Sequence, residues 1–200
     1  MLYCARKINP KLFDLEIKNL ECNIQIKTKE IHRQKITAFV KDIGNPKEFI
    51  LINPFSLIAK YTLDIKDWID LTKQIHKKYP KLCIIVPTYE AVHQNFIEEV
   101  KNFDEDILNY LYIFKNDEDI LNLCELLAHS KLLISPSTGT IHLASNLKIN
   151  SIGLYSIQDI KFWETYNKDY VLLKKKRDEM NDKEVQNIIE EVLKKLENYL

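Results

Sequence analysis

Glycine is scarce in this chain, with three in 200 residues, and none falls in a GxGxxG or GxxxxGK[ST] pattern. Those loops need glycine so that backbone N–H groups can close around a phosphate. Dinucleotide dehydrogenases and P-loop enzymes are thereby disfavoured. Net charge is also missing: Lys plus Arg and Asp plus Glu each number 29. With no global field to draw it to polyanions, the chain is not expected to bind nucleic acid. The four cysteines, Cys4, Cys22, Cys83 and Cys124, form no CxxC pair and have no histidine at ligand spacing. Neither a zinc site nor a disulfide framework is suggested, and Cys83 and Cys124, lying in apolar runs, read as buried thiols. No run of eighteen apolar residues occurs, and the start, MLYCARKINPKLF, lacks the apolar stretch of a signal peptide. The expectation is a soluble, cytoplasmic protein.

What is present is an alternation. From residue 48 onward, short β-branched or apolar runs at 49 to 53, 82 to 86, 110 to 114, 131 to 135, 151 to 155 and 169 to 173 predict strands. Segments of helical period lie between and after them, at about 66 to 78, 90 to 102, 117 to 129, 138 to 147 and 183 to 199. This order predicts an α/β fold, a Rossmann-like parallel sheet with helices on both faces. Val185, Ile188, Ile189, Val192, Leu196 and Tyr199 form the apolar stripe of the last helix. Before residue 48, LYCARK and CNIQIK read as short strands. TKEIHRQKITAFVKDIG reads as a helix capped by Thr28 and stopped at Gly44. GNPKE, 44 to 48, is then the expected boundary between residues 1–47 and a domain of 48–200.

Three strand-end loops carry polar chemistry. In SPSTGTIH a strand ends at Pro136, Ser137 is placed to cap the next helix, and Gly139 leaves room for a close approach to its first turn. Ser137, Thr138 and Thr140 add hydroxyls to backbone donors that attract anions, with His142 one turn beyond Thr138. The same pattern also describes a capped helix with a satisfied histidine. INPFSLIAK brings Asn53, Ser56 and Lys60 to the same sheet edge, with Trp68 in the helix beyond. Lys60 suits a diphosphate as a compact charge; taken alone it reads as a solvated surface lysine, and its place at the same sheet edge as the Ser-Thr-Gly turn favours the diphosphate. In VPTYEAVH, Glu90 or His93 could reach a ribose hydroxyl or simply form the polar first turn of a helix. The runs FDEDILNYL and LLKKKRDE read as solvated faces or turns.

Together these pieces resemble the C-terminal half of glycosyltransferase family nine, the lipopolysaccharide heptosyltransferases, whose motif has the form D-[ST]-G-x-x-H-L-x-[AS]-x-L after a strand. STGTIHLASNL, Ser137 to Leu147, is similar to it, with Ser137 where the motif has Asp. INSIGLYS resembles the following strand, and NPFSLIAKYTLDIKDWIDL is similar to the segment holding the donor phosphates. The resemblance implies the C-terminal, nucleotide-sugar-binding half of a GT-B fold at 48–200. Residues 1–47 would be a remnant of the acceptor domain with a connecting helix, since members of the family are considerably longer.

By this resemblance Ser56 and Lys60 would hold the diphosphate, while Ser137, Thr138, Gly139, Thr140 and His142 would line the donor sugar and phosphate site. Glu90 and His93 both stand near the family's ribose-binding position. The implied activity is inverting transfer of a sugar from a nucleotide-diphosphate sugar, ADP-heptose first, to lipopolysaccharide core or a related glycan. It would need no metal or cofactor, and would take place in the cytoplasm at the inner face of the bacterial inner membrane. No residue matches the family's general base, which implies a separate acceptor-domain chain as partner. The alternative is a truncated, non-catalytic nucleotide-sugar-binding module. A third reading is a GT-B-like nucleotide-sugar epimerase.

Overall fold

The computed structural model describes residues 9–12, 14, 25–56, 60–163, 165 and 169–200. Its centre is a six-stranded sheet of β1 (Phe49–Ile52), β2 (Cys83–Thr88), β3 (Leu111–Lys115), β4 (Leu132–Pro136), β5 (Ser151–Ser156) and β6 (Asp169–Leu173). The strands run parallel in the order β3-β2-β1-β4-β5-β6. Around it lie α1 (Glu30–Asp42), α2 (Ile65–Lys78), α3 (Glu90–Phe103), α4 (Ile120–His129), α5 (Gly139–Asn146), α6 (Ile157–Trp163) and α7 (Asp182–Leu196). Two short 3-10 turns, Glu105–Asn109 and Arg177–Glu179, complete the described elements.

Strand alternation builds two cores, because successive side chains point to opposite faces. Ile50 and Ile52 of β1, with Ile84 and Val86 of β2, face a core closed by Trp68, Ile69 and Ile75 of α2, Phe96 of α3 and the stripe of α7. Phe49 and Leu51, with Cys83 and Ile85, face a second core closed by Ile36 of α1, Leu126 and Leu127 of α4, and Ile141 and Ala144 of α5. The chain winds from β1 outward to β3, then returns to β4 beside β1 and winds outward the other way. With right-handed crossovers this reversal sends α4 and α5 to the face opposite α2 and α3, while α7, after the last strand, packs back on the first face. The strand ends at β1 and β4 therefore diverge, and their separated loops leave a crevice at the carboxyl edge.

The six strands expected from residue 48 onward are present, displaced by at most two residues at either end. α4 starts at Ile120 rather than 117, because Asp119 Oδ1 accepts the Leu121 N–H at 2.9 Å and sets the cap there. The helix expected from Thr28 also starts later, at Glu30 after Lys29. Thr28 does not cap it; its hydroxyl donates instead to Glu125 of α4. The Lys29 N–H donates to His32 Nδ1 at 2.9 Å, and His32 Nε2 meets Asp119 Oδ2 at 3.0 Å, tying α1 to α4. Gly44, at φ 90°, ends the helix as expected. No strand occurs at 25–27, and the rest of CNIQIK, with LYCARK, lies outside the described residues. α6 has no counterpart among the expected elements; the two 3-10 turns fall in FDEDILNYL and LLKKKRDE, the runs that read as solvated faces or turns. Cys83 and Cys124 are buried thiols, with burial pushing Cys83 up to about 11; Cys4 and Cys22 lie outside the described residues.

Candidate functional site

The crevice between β1 and β4 opens into a cleft of about 840 Å³. Its floor is a polar knot. The Asn53 N–H continues the sheet by donating to the Ile134 carbonyl at 2.9 Å. The Asn53 side chain is 7% exposed, and its Nδ2 lies 3.1 Å from Ser135 Oγ, 3.2 Å from Thr140 Oγ1 and 3.4 Å from Thr138 Oγ1. An amide nitrogen carries two hydrogens and a hydroxyl has one. Each hydroxyl that accepts from Asn53 keeps its own hydrogen to give elsewhere. Ser135 gives its hydrogen to the Pro136 carbonyl at 2.9 Å. Thr140, which lines the cleft, has its hydrogen to offer a ligand.

Thr138, not Ser137, occupies the N-cap position of α5, and its hydroxyl turns toward Asn53 and Ser135 instead of capping. The reason is the ladder: the Ser137 N–H donates to the Leu154 carbonyl at 2.9 Å, so Ser137 still belongs to the sheet. Gly139 and Thr140 form the first turn of α5, where N–H groups have no intrahelical acceptor and the helix end attracts negative charge. A Cβ built on Gly139 would meet nothing within 4 Å, so the protein's own packing does not demand that glycine. Open space over those amides fits the expected close approach of a ligand.

All seven residues of the two main loops come together here: Ser56, Lys60, Ser137, Thr138, Gly139, Thr140 and His142 line one cleft. Lys60 is exposed, and among the described residues it is the only Lys or Arg on the lining. Its segment is held from below. The Arg177 N–H donates to the Lys60 carbonyl at 3.4 Å, and the Arg177 guanidinium binds Asp67 of α2 with its Nη2 3.1 Å from Oδ1. That contact raises the Arg177 pKa further above its usual value. This part of the basic run is thus a brace rather than a solvated turn. Phe55 stands edge-on to Phe96 and Tyr89, with centroids 5.4 and 6.1 Å away, and pins the loop after β1. The His142 ring is exposed on one side but crowded by the cleft wall, with the Trp163 ring 6.0 Å away. That partial desolvation lowers its pKa below 6.5, so the imidazole is neutral at pH 7.

Glu90 and His93 are not brought into the cleft. Glu90, in the first turn of α3, pairs with Lys115 Nζ at 2.8 Å, a contact that lowers its carboxyl pKa. His93 Nδ1 lies 2.8 Å from Thr88 Oγ1 and braces a hydroxyl that itself lines the cleft. The sequence reading left α6 out of the site, yet Gln158, Asp159 and Trp163 form part of its wall. A signal was there: Ser156 and Asp159 have the spacing of a helix cap, and the Asp159 N–H does donate to Ser156 Oγ at 2.9 Å. Among the described residues no three His, Cys, Asp or Glu side chains group as a metal site, and no helix is long and apolar enough to cross a membrane.

A Rossmann-like sheet with its cleft at the β1/β4 switch point has the architecture of the doubly wound α/β class, whose members take ligands at that place. The model of glycosyltransferase family 9 (heptosyltransferase) matches residues 4–193, and the chain belongs to that family. Its sheet corresponds to one of the two Rossmann-like halves of a GT-B glycosyltransferase fold. Among solved structures it is similar to E. coli ADP-heptose lps heptosyltransferase II, at TM-score 0.64 and 14% identity over 84% of this chain and 52% of that one. It is also similar to a glycosyl transferase family 9 protein from Veillonella parvula DSM 2008, at TM-score 0.61 and 14% identity, with 75% and 42% covered. E. coli heptosyltransferase WaaC with ADP gives TM-score 0.56 and 18% identity, with 74% and 45% covered. The chain thus spans about half the length of these structures, and at such identities the likeness is one of fold. No curated protein matches the chain.

Proposed function

We propose that the cleft binds a nucleotide-diphosphate sugar, ADP-heptose being the first candidate, and that the protein takes part in transferring the sugar to lipopolysaccharide core or a related glycan. The observation that carries this is the convergence of Lys60 with the first turn of α5 and the Thr140 hydroxyl on one cleft. Lys60 and Ser56 would hold the diphosphate, joined by the amides of Gly139 and Thr140; Ser137, Thr138 and His142 would complete the lining. In the inverting reaction an acceptor hydroxyl attacks the anomeric carbon from the face opposite the diphosphate. The carbon–oxygen bond to the diphosphate breaks, with the electron pair leaving on the diphosphate oxygen. Lys60 and the helix amides stabilise that developing charge, a role that asks for neither metal nor cofactor. The attacking hydroxyl passes its proton to a base supplied from outside this cleft, by an acceptor-binding partner chain working at the inner face of the membrane.

Lys60→Ala is expected to weaken nucleoside diphosphate binding by about 1 to 3 kcal/mol, the loss of a charge-assisted contact. Calorimetry with ADP, UDP and GDP measures it, and unchanged affinity for the diphosphate that the wild type binds would remove Lys60 from the site. The second reading is a binding module without catalysis. It predicts donor binding with no transfer to any glycan acceptor, whatever partner chain is added. Finding product in the reconstituted mixture would dismiss it.

A further inference from the structure

The two walls of the cleft differ in chemistry. One carries Lys60 and the α5 amides, both suited to an anion. The other is α6, a two-turn helix none of whose residues is buried. It contributes Asp159, the only carboxylate on the lining among the described residues. The Asp159 N–H is committed to Ser156 Oγ, which fixes the turn that carries the side chain, and no described lysine, arginine or histidine pairs with its carboxylate. Further along α6, Trp163 is 56% exposed, its ring at 67° to that of His142.

An unpaired carboxylate is an unfavourable neighbour for a diphosphate, since two anions in one cleft repel each other. The arrangement becomes favourable when hydrogen-bond donors lie between them. An ionised carboxylate only accepts, and hydroxyl groups of a sugar are donors that satisfy it with charge-assisted bonds. An exposed indole offers a broad apolar face suited to the C–H side of a sugar ring, with its N–H free to meet an oxygen. Ser137 and the other lining residues of the α5 side bring no carboxylate to the cleft.

We propose that Asp159 and Trp163 form the sugar-recognition wall of the cleft: the Asp159 carboxylate accepts hydrogen bonds from hydroxyls of the donor sugar, and Trp163 covers its C–H face. The proposal rests on the donor-site reading above and deepens it. A site built to bond a hydroxyl rejects an analogue lacking it far more strongly than an apolar pocket does, which makes Asp159 a specificity-determining residue.

The test compares each sugar nucleotide with its parent diphosphate by calorimetry: ADP-heptose with ADP, UDP-glucose with UDP, GDP-mannose with GDP. Asp159→Asn keeps the shape and removes the charge. It should weaken the sugar nucleotide about 10- to 100-fold, the loss expected for hydrogen bonds to a charged group. The parent diphosphate should bind equally well or tighter, because a repulsive charge has gone. Trp163→Leu should likewise weaken only the sugar form. Equal weakening of both ligands, no change in either, or a wild type that binds parent and sugar form alike would overturn the wall while leaving the cleft reading intact. A wild type that binds none of the three diphosphates would overturn the cleft reading and the wall with it. Because α6 is exposed, both variants should melt near the wild-type temperature, so a fold-wide collapse would be visible separately.

Discussion

Asn53 shows how one buried amide can set the character of a binding surface. Two amide hydrogens distributed over three hydroxyls leave the surplus hydroxyl hydrogens to point elsewhere, and for Thr140 that is the cleft. A neutral His142 beside these donors adds no charge at pH 7, since crowding holds its pKa below 6.5. Its protonation should therefore be read directly by NMR titration of the imidazole, with a midpoint below 6.5 in the free protein. Adding the diphosphate that the wild type binds should move that midpoint upward, because a nearby anion favours imidazolium. An unmoved midpoint would separate His142 from the phosphate end of the cleft. The sign also fixes its effect on folding: the neutral ring is favoured in the native state, so its small contribution is present above pH 6.5 and is lost as the pH falls through the lowered value.

Among the elements, α5 depends on a glycine that has nothing to do with ligand. Gly153 of β5 lies beneath it, and a Cβ there would come within 2.6 Å of Ile141 Cδ1 as well as meeting the Tyr155 ring. Ile141 and Tyr155 are both buried, at 1% and 2% exposure. Gly153→Ala should cost about 1 to 3 kcal/mol by overpacking, lowering Tm by roughly 2 to 4 °C per kcal/mol for a domain of this size. A melt indistinguishable from wild type would mean that Ile141 and Tyr155 repack without strain. The sequence marked Gly139, at a strand-to-helix turn, for the close approach of a ligand, but carried no sign that Gly153, inside a strand, is required by packing. Strands were legible as continuous apolar runs, as at Ile84 to Val86, because helices cover both faces of the sheet, and the amphipathic helices by their 3.6-residue period, as over Val185 to Leu196. The seven cleft residues were legible because they cluster at strand ends within one family-like motif. α6 was not, since it buries no residue and so has no period to betray it. Nor was the role of Asn53, which is defined by partners 82 to 87 residues away.

Over the whole molecule, the last helix closes the fold against its outer strand. The Tyr199 hydroxyl donates to Asp169 of β6, and Lys195 Nζ reaches the other oxygen of the same carboxylate at 3.6 Å. Burial, followed by the Asp169 contact, pushes the Tyr199 phenol up to about 12. A phenol whose native pKa is raised stabilises the fold fully below its unfolded value near 10 and loses that contribution as the pH rises toward about 12. Denaturant melts should show the wild type more stable than Tyr199→Phe below pH 10, with the advantage disappearing by pH 12. An advantage constant across that range would mean that the phenol does not titrate differently in the two states.

The pairing of β1 with β4 also governs how the chain must be made. Asn53 and Ser135 meet across 82 residues, so a ribosome has to deliver β2, β3 and α4 before the inner edge of β1 finds its neighbour. Until then an apolar strand, FILI, has one side hydrogen-bonded to β2 and the other bare. Open edges of this kind recruit strands from other chains. The floor of the cleft thus cannot exist until β4 has been made, and the stretch of translation before residue 132 leaves that edge of β1 open to strands of other chains.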